Sequence, residues 1–387
     1  MTWAPFLHWY QPANSEPFFI TEAAEASYLF LVRTLLDNRR LKMTWNISGC
    51  LIERLAELGY GEILEGVRRL HSRGQVELVG TAAYHPFLPL ISSREAKRQI
   101  AIQEDILMAY LGVSRPRGFF FPEMGYSPEM GEMVKRLGYE YMILDEMALA
   151  GQRRTAGIYQ DEATGLKVII RSRRASNRYV PDYVVKKSKL GKMGSELIIT
   201  ANDAELYGLR HRDVSGSLIA LSGVDDLECA LFSELSSSSR HRKEVCLRSC
   251  SWESSEEELA KGQPFAIWKE DGNVIQDKLW QLAALAQDAI HRYENDANHG
   301  ASLWHLSRGL ASCMFWWASG HDFSRHFGAV AWSPDEVERG LNDLVRSIRS
   351  IADKRSLSLK AEAEELNAMI RKELWLAHWR RQEASRA

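Results

Sequence analysis

Through the first 145 residues, short apolar runs alternate with longer stretches of helical periodicity, which confines the chain to folds built around a parallel sheet. Runs at 5–9, 42–47, 76–80, 118–121 and 141–144 predict strands. Between them, 23–38, 62–73 and 93–110 carry apolar residues at i, i+3, i+4 and i+7 on one face and predict helices. Such regular βα repetition implies either a barrel or a doubly wound sheet. Residues 146–190 break the rhythm with a turn-linked pair of strands and a basic loop, and the βα series resumes at 196–200 and 217–221. The stretch SELSSSSRHRKE (233–244) reads as a solvated loop and the domain seam. Beyond about residue 275 strand signals disappear, and 276–293, 302–319, 334–353 and 360–379 are helical in period. The expected division is a barrel domain over 1–235 with the insertion at 146–190, a linker with the last barrel elements over 236–274, and a helical C-terminal domain over 275–387.

The chain has 387 residues, 45% hydrophobic and 26% charged, the composition of a globular protein with a sizeable core. Its 49 basic and 51 acidic residues leave a formal charge of -2, too small a field to recruit nucleic acid or an anionic membrane. Five scattered cysteines without a CxxC pair favour neither a disulfide framework nor a zinc site, and no metal or other cofactor is expected. The start, MTWAPFLHWYQP, lacks the basic and apolar regions of a signal peptide, and no run approaches the roughly 20 apolar residues of a membrane span, so a cytoplasmic location is expected.

Parallel barrels and open α/β sheets place their sites at the C-terminal ends of strands, and four polar clusters fall there. They are His8-Trp9-Tyr10-Gln11-Pro12, Tyr84-His85-Pro86, the stretch from Phe121 through Glu123, Tyr126 and Ser127 to Pro128, and Asn202-Asp203-Ala204-Glu205-Leu206-Tyr207-Gly208. Glu123 follows an apolar strand into a Pro- and Gly-bounded loop, where a lone acid serves a helix N-terminus as readily as chemistry. Asp203 repeats the arrangement. Two acids on two strand ends, with two histidines and several aromatics on the others, supply what glycosidic cleavage needs: one carboxylate as nucleophile and one as proton donor.

With these clusters in view, the chain resembles glycoside hydrolase family 57, retaining enzymes acting mostly on α-glucans. Four of the family's five motifs are matched in order. His8 with Gln11-Pro12 resembles the first, Gly74-Gln-Val-Glu77 with His85-Pro86 the second, Phe120-Phe121-Pro122-Glu123 with Tyr126-Ser127-Pro128-Glu129 the third, and Asp203-Ala204-Glu205-Leu206-Tyr207-Gly208 the fourth. The resemblance implies an incomplete (β/α)7 barrel followed by a helical domain, Glu123 as nucleophile and Asp203 as general acid/base. Substrate contacts are expected at His8, Gln11, His85, Tyr126, Glu205 and Tyr207, with Glu205 more a partner of the catalytic groups than a catalyst. Glu129 is expected as a first-turn helix acid.

The fifth motif departs from the family pattern. Where a Ser-Asp-Trp stretch is expected, the chain has Arg308-Gly-Leu-Ala-Ser-Cys-Met-Phe-Trp-Trp-Ala-Ser319, so Trp316 or Trp317 either stacks on a sugar ring or seals the helical layer. One of the two is expected at the cleft and the other in the helical core. Asp213 either replaces the lost acid or pairs with a neighbouring arginine, and Trp252 and Trp268 either floor a binding groove or, as the preferred reading, lock the two domains together. Two rivals share this kind of barrel: a metal-dependent polysaccharide deacetylase and a catalytically silent carbohydrate-binding relative. The first needs an Asp and two His on one metal, yet His8 has no neighbouring Asp, and His321 and His326 lie five apart near the C-terminus.

Overall fold

The computed structural model describes residues 1–151, 155–189, 196–238, 243–320, 323–324, 328–329 and 332–386. The chain divides into two compact units, Met1–Ala83 with Ile100–Trp252, and Tyr84–Gln99 with Glu253–Ala387. The expected seam is thereby moved. Residues 243–252 belong to the barrel unit, and Tyr84–Gln99, read from the sequence as barrel, belongs to the helical one. Polar contacts explain the second shift: Ser92 N donates to Gln287 Oε1 at 2.9 Å and Arg98 Nη2 to Ser307 Oγ at 2.7 Å.

Among the described residues of the first unit ten strands run β1 (Thr2–Trp9), β2 (Met43–Ile47), β3 (Val76–Leu78), β4 (Gly118–Phe120), β5 (Tyr141–Asp145), β6 (Gly157–Asp161), β7 (Lys167–Arg171), β8 (Leu197–Asp203), β9 (Glu228–Cys229) and β10 (Glu244–Val245). One sheet carries β3-β2-β1-β8 in parallel, with β9 added to β1, and the other carries β10-β6-β7-β5-β4. Two thin joins close these sheets into a ring of seven parallel strands, β1, β2, β3, β4, β5, β7 and β8. Gly80 pairs with Phe119 beside β4, and Ser172 N donates to Ile199 O at 2.9 Å. The ring is therefore the (β/α)7-type barrel, and β6 is the antiparallel partner of β7 in the expected inserted hairpin. Its interior is packed by Phe6, Phe120, Met124, Tyr141, Ile143, Ile169 and Ile199.

Two expectations fail in this unit. The apolar run at 217–221 is not a strand but the helix Ser217–Ala220 followed by a 3-10 turn. Asp213 makes it so, accepting from Ser217 N at 2.8 Å and Leu218 N at 2.9 Å and thereby satisfying two first-turn N–H groups. The serine stretch begins as the helix Phe232–Ser238, not a solvated loop, because Phe232 and Leu235 reach the barrel core. Ser236 and Ser238 bond back to the carbonyls of Ser233 and Leu235, which spares their hydroxyls a need for water. Buried Glu77 pins this helix, accepting from Ser233 N at 2.9 Å and Tyr141 Oη at 2.8 Å. Residues 239–242 of that stretch, and both His321 and His326, lie outside the described residues.

The second unit packs the helices Val274–Arg292, His299–Gly309, Pro334–Arg349 and Leu357–Arg386 around Leu279, Leu282, Leu344, Ile348, Ile370 and Leu374. The single helix expected over 302–319 is two, His299–Gly309 and Ser312–Trp317. The break falls where Ala311 pairs with Pro86 and Ser312 N donates to His85 O at 2.9 Å. A two-residue antiparallel pair, Phe323–Ser324 with Gly328–Ala329, also occurs where no strand is expected. Among the described residues, no helix is long and apolar enough to cross a membrane.

Candidate active site

Strand register brings the first candidate groups together. Across β1 and β8, His8 stands opposite Asp203, and across β1 and β2 it stands opposite Asn46. The buried imidazole donates from Nδ1 to Asn46 Oδ1 at 2.7 Å, which fixes its tautomer. Burial lowers the His8 pKa against the opposing pull of Asp203, so the ring is neutral at pH 7. Its faces meet Tyr10 at 5.8 Å and Phe120 at 4.8 Å.

Asp203 ends β8 half-buried, and Arg210 Nη1 donates to its Oδ2 at 2.8 Å. Two residues on, Glu205 is buried and accepts from Gln11 Nε2 at 3.0 Å and from the Tyr28 hydroxyl. Burial, reinforced by the Asp203 charge, pushes its pKa up to about 7. Gly208 lets the chain turn away: its φ is +102°, and a Cβ there would lie 2.0 Å from Ala26 O.

Glu123 leaves β4 in the left-handed region at φ 59°, and Met124 follows at φ 48°. Consecutive non-glycine residues held there mark a loop whose surroundings impose its shape. That surrounding is Trp252, whose Nε1 donates to Glu123 Oε2 at 2.9 Å and whose backbone N donates to Glu123 O at 3.1 Å. The indole also meets His8 at 6.1 Å and Phe120 at 6.0 Å. Asp203 and His8, near the C-terminal ends of β8 and β1, Trp252, and Glu123 in the loop after β4 thus follow one another. Trp252 is a member of this site, delivered by the pairing of Tyr126 with Cys250. No local pattern in the sequence signals it.

Several expected substrate contacts take other places. Tyr126 is buried against Phe121 at 5.7 Å, and Tyr207 is buried against Tyr179 at 5.3 Å. Asp213 caps a helix, and among the described residues no ion pair joins it to an arginine. Glu129 sits in the first turn of the helix Pro128–Arg136, where its own backbone N–H and the Ser127 side chain lower its pKa.

His85, Trp316 and Trp317 belong to the second unit. His85 is buried at φ 55° with Nδ1 2.9 Å from Ser312 Oγ. Trp316 and Trp317 are both half-buried, with ring centroids 6.3 Å apart, so neither is the expected core tryptophan. Phe315 takes that place, fully buried and stacked 3.7 Å from Trp280. Trp268 is buried against Phe87 at 4.5 Å within the same unit. Among the described residues, no three His, Cys, Asp or Glu side chains are grouped to hold a metal ion.

With this geometry in place, comparison with known proteins is informative. The family model described as glycosyl hydrolase family 57 matches residues 7–221. Alpha-amylase 1 of Dictyoglomus thermophilum is 25% identical over 214 residues, 52% of this chain and 31% of the amylase. The alpha-amylase of Pyrococcus horikoshii is 31% identical over 142 residues, 36% of this chain and 22% of that enzyme. The chain thus matches less than a third of the length of either relative. The crystal structure of 4-alpha-glucanotransferase from Thermococcus litoralis superposes with a TM-score of 0.74 at 18% identity, covering 92% of this chain and 60% of that one, a likeness of fold.

Proposed function

Because the chain belongs to glycosyl hydrolase family 57, we propose that it cleaves α-glycosidic bonds of α-glucans by double displacement through a covalent glycosyl-enzyme. Glu123 attacks the anomeric carbon while Asp203 protonates the departing oxygen; Asp203 then takes a proton from the incoming water or sugar hydroxyl as the glycosyl–Glu123 bond breaks. The observation that carries this reading is the series of ring contacts from His8, paired in register with Asp203, through Trp252 to the Glu123 carboxylate. His8 is suited to a sugar hydroxyl because, with its one N–H directed at Asn46, the neutral ring accepts at Nε2 without adding charge to the cleft. The amylase and glucanotransferase names of the relatives support an α-glucan substrate, with hydrolysis and transfer differing only in which hydroxyl reaches the intermediate.

Incubation with aryl α-maltooligosides and maltooligosaccharides, followed by proton NMR of the first-formed products, tests the reading. Products of α configuration, with a redistributed oligosaccharide ladder if transfer dominates, are expected. First-formed β products, or the absence of turnover on every α-glucan, would overturn it.

A further inference from the structure

Beneath Trp252 lies a buried ionic cluster. Asp145, at the end of β5, is fully buried; its Oδ2 accepts from Arg171 Nε and its Oδ1 from Arg173 Nε, each at 2.7 Å. Both arginines then reach toward the site. Arg171 lies over the Trp252 indole at 5.3 Å and donates from Nη1 to Ala201 O at 2.9 Å, two residues before Asp203. Arg173 donates from Nη2 to Trp252 O. Trp252 is therefore gripped on its ring face and its carbonyl, while its own two N–H groups grip Glu123.

We propose that the Asp145–Arg171–Arg173 cluster is a positioning clamp that aims the Glu123 carboxylate by fixing Trp252. A buried ion cluster is a poor means of gaining stability, since apolar side chains of similar volume serve as well or better, so its presence here points to orientation. Two planar guanidinium groups, each donating Nε–H to one carboxylate and an Nη–H to a backbone carbonyl, define directions that apolar packing cannot. Arg171 ties that frame to the strand bearing Asp203 as well, so one rigid group references both carboxylates. This inference rests on the reading of Glu123 as the nucleophile.

The test compares Arg173→Met, Arg173→Lys and Glu123→Ala in the full chain, using an aryl α-maltooligoside and the indole N–H resonance of Trp252, identified by its loss in Trp252→Phe. Arg173→Met should shift that resonance and lower kcat by about 10²-fold, the effect of a misplacement near 1 Å. KM should change little, because the lost interaction serves the transition state. Arg173→Lys should recover part of the rate. An unmoved resonance, an unchanged kcat, or a rate loss that disappears on cooling to where the variant is fully folded would reduce the cluster to a structural support. Turnover that survives Glu123→Ala would sink the active-site reading itself, whereas turnover lost there but intact in Arg173→Met would sink only the clamp.

Discussion

Asp203→Ala should turn over an activated aryl α-maltooligoside slowly and, when azide is added, yield an α-configured glycosyl azide. The leaving group needs no protonation in such a substrate, so Glu123 still forms the glycosyl-enzyme, and the step that suffers is its breakdown without a base. A general acid/base contributes about 10²- to 10⁴-fold, which sets the expected loss. Azide is already anionic and needs no base, so it attacks directly, and two displacements at one carbon restore the original configuration. Glu123→Ala removes the covalent route, and any azide product from that variant should be β, formed by one displacement. Product analysis by NMR reads both outcomes; a β azide from Asp203→Ala would exchange or refute the two roles.

Relative to the native chain, Glu205→Gln should gain folding stability as the pH rises from about 5 to 7. In the folded chain Glu205 titrates near 7 because it is buried beside Asp203, against an ordinary value of 4.5. Between those values the folded state holds a proton that the unfolded state has released, so each rise in pH favours unfolding, by up to about 3 kcal/mol in all. Below 4.5 both states are protonated and the contribution is fully present. His8 works in the opposite sense: with its pKa lowered in the fold, stability is lost as the pH falls below 6.5. Glutamine keeps an oxygen for Gln11 and the Tyr28 hydroxyl while removing the titration. Chemical denaturation midpoints measured from pH 5 to 8 should rise in Glu205→Gln relative to the native chain up to about pH 7, while the acid-side loss from His8 persists in both. A difference between variant and native chain that does not change with pH would show that Glu205 does not titrate in this range.

What could be read from the chain was local. His8, Glu123 and Asp203 each close an apolar run, and because parallel strands share one direction, three strand ends in sequence become one site in space. Trp252 could not be read this way. It lies 129 residues from Glu123 and arrives through a backbone pairing that has no periodic signature. The strand expected at 217–221 failed for a related reason, since five apolar-leaning residues fit either a buried strand or one helical turn, and Asp213, outside the run, decides. Tyr126 and Tyr207 hold motif positions and are buried against Phe121 and Tyr179, packing partners that the motif itself does not announce. In the helical unit, Phe315 displaced the neighbouring tryptophans from the core because Trp280 offers it a flat partner.

The most direct test of the proposed chemistry is covalent. A 5-fluoro-α-glycosyl fluoride forms the glycosyl-enzyme quickly and releases it slowly, so brief incubation, proteolysis and mass spectrometry locate the attacking carboxylate. The label should sit on Glu123 and should be lost in Glu123→Ala. A label on Asp203 or Glu205, or active enzyme that never becomes labelled while producing β sugars, would contradict double displacement at Glu123.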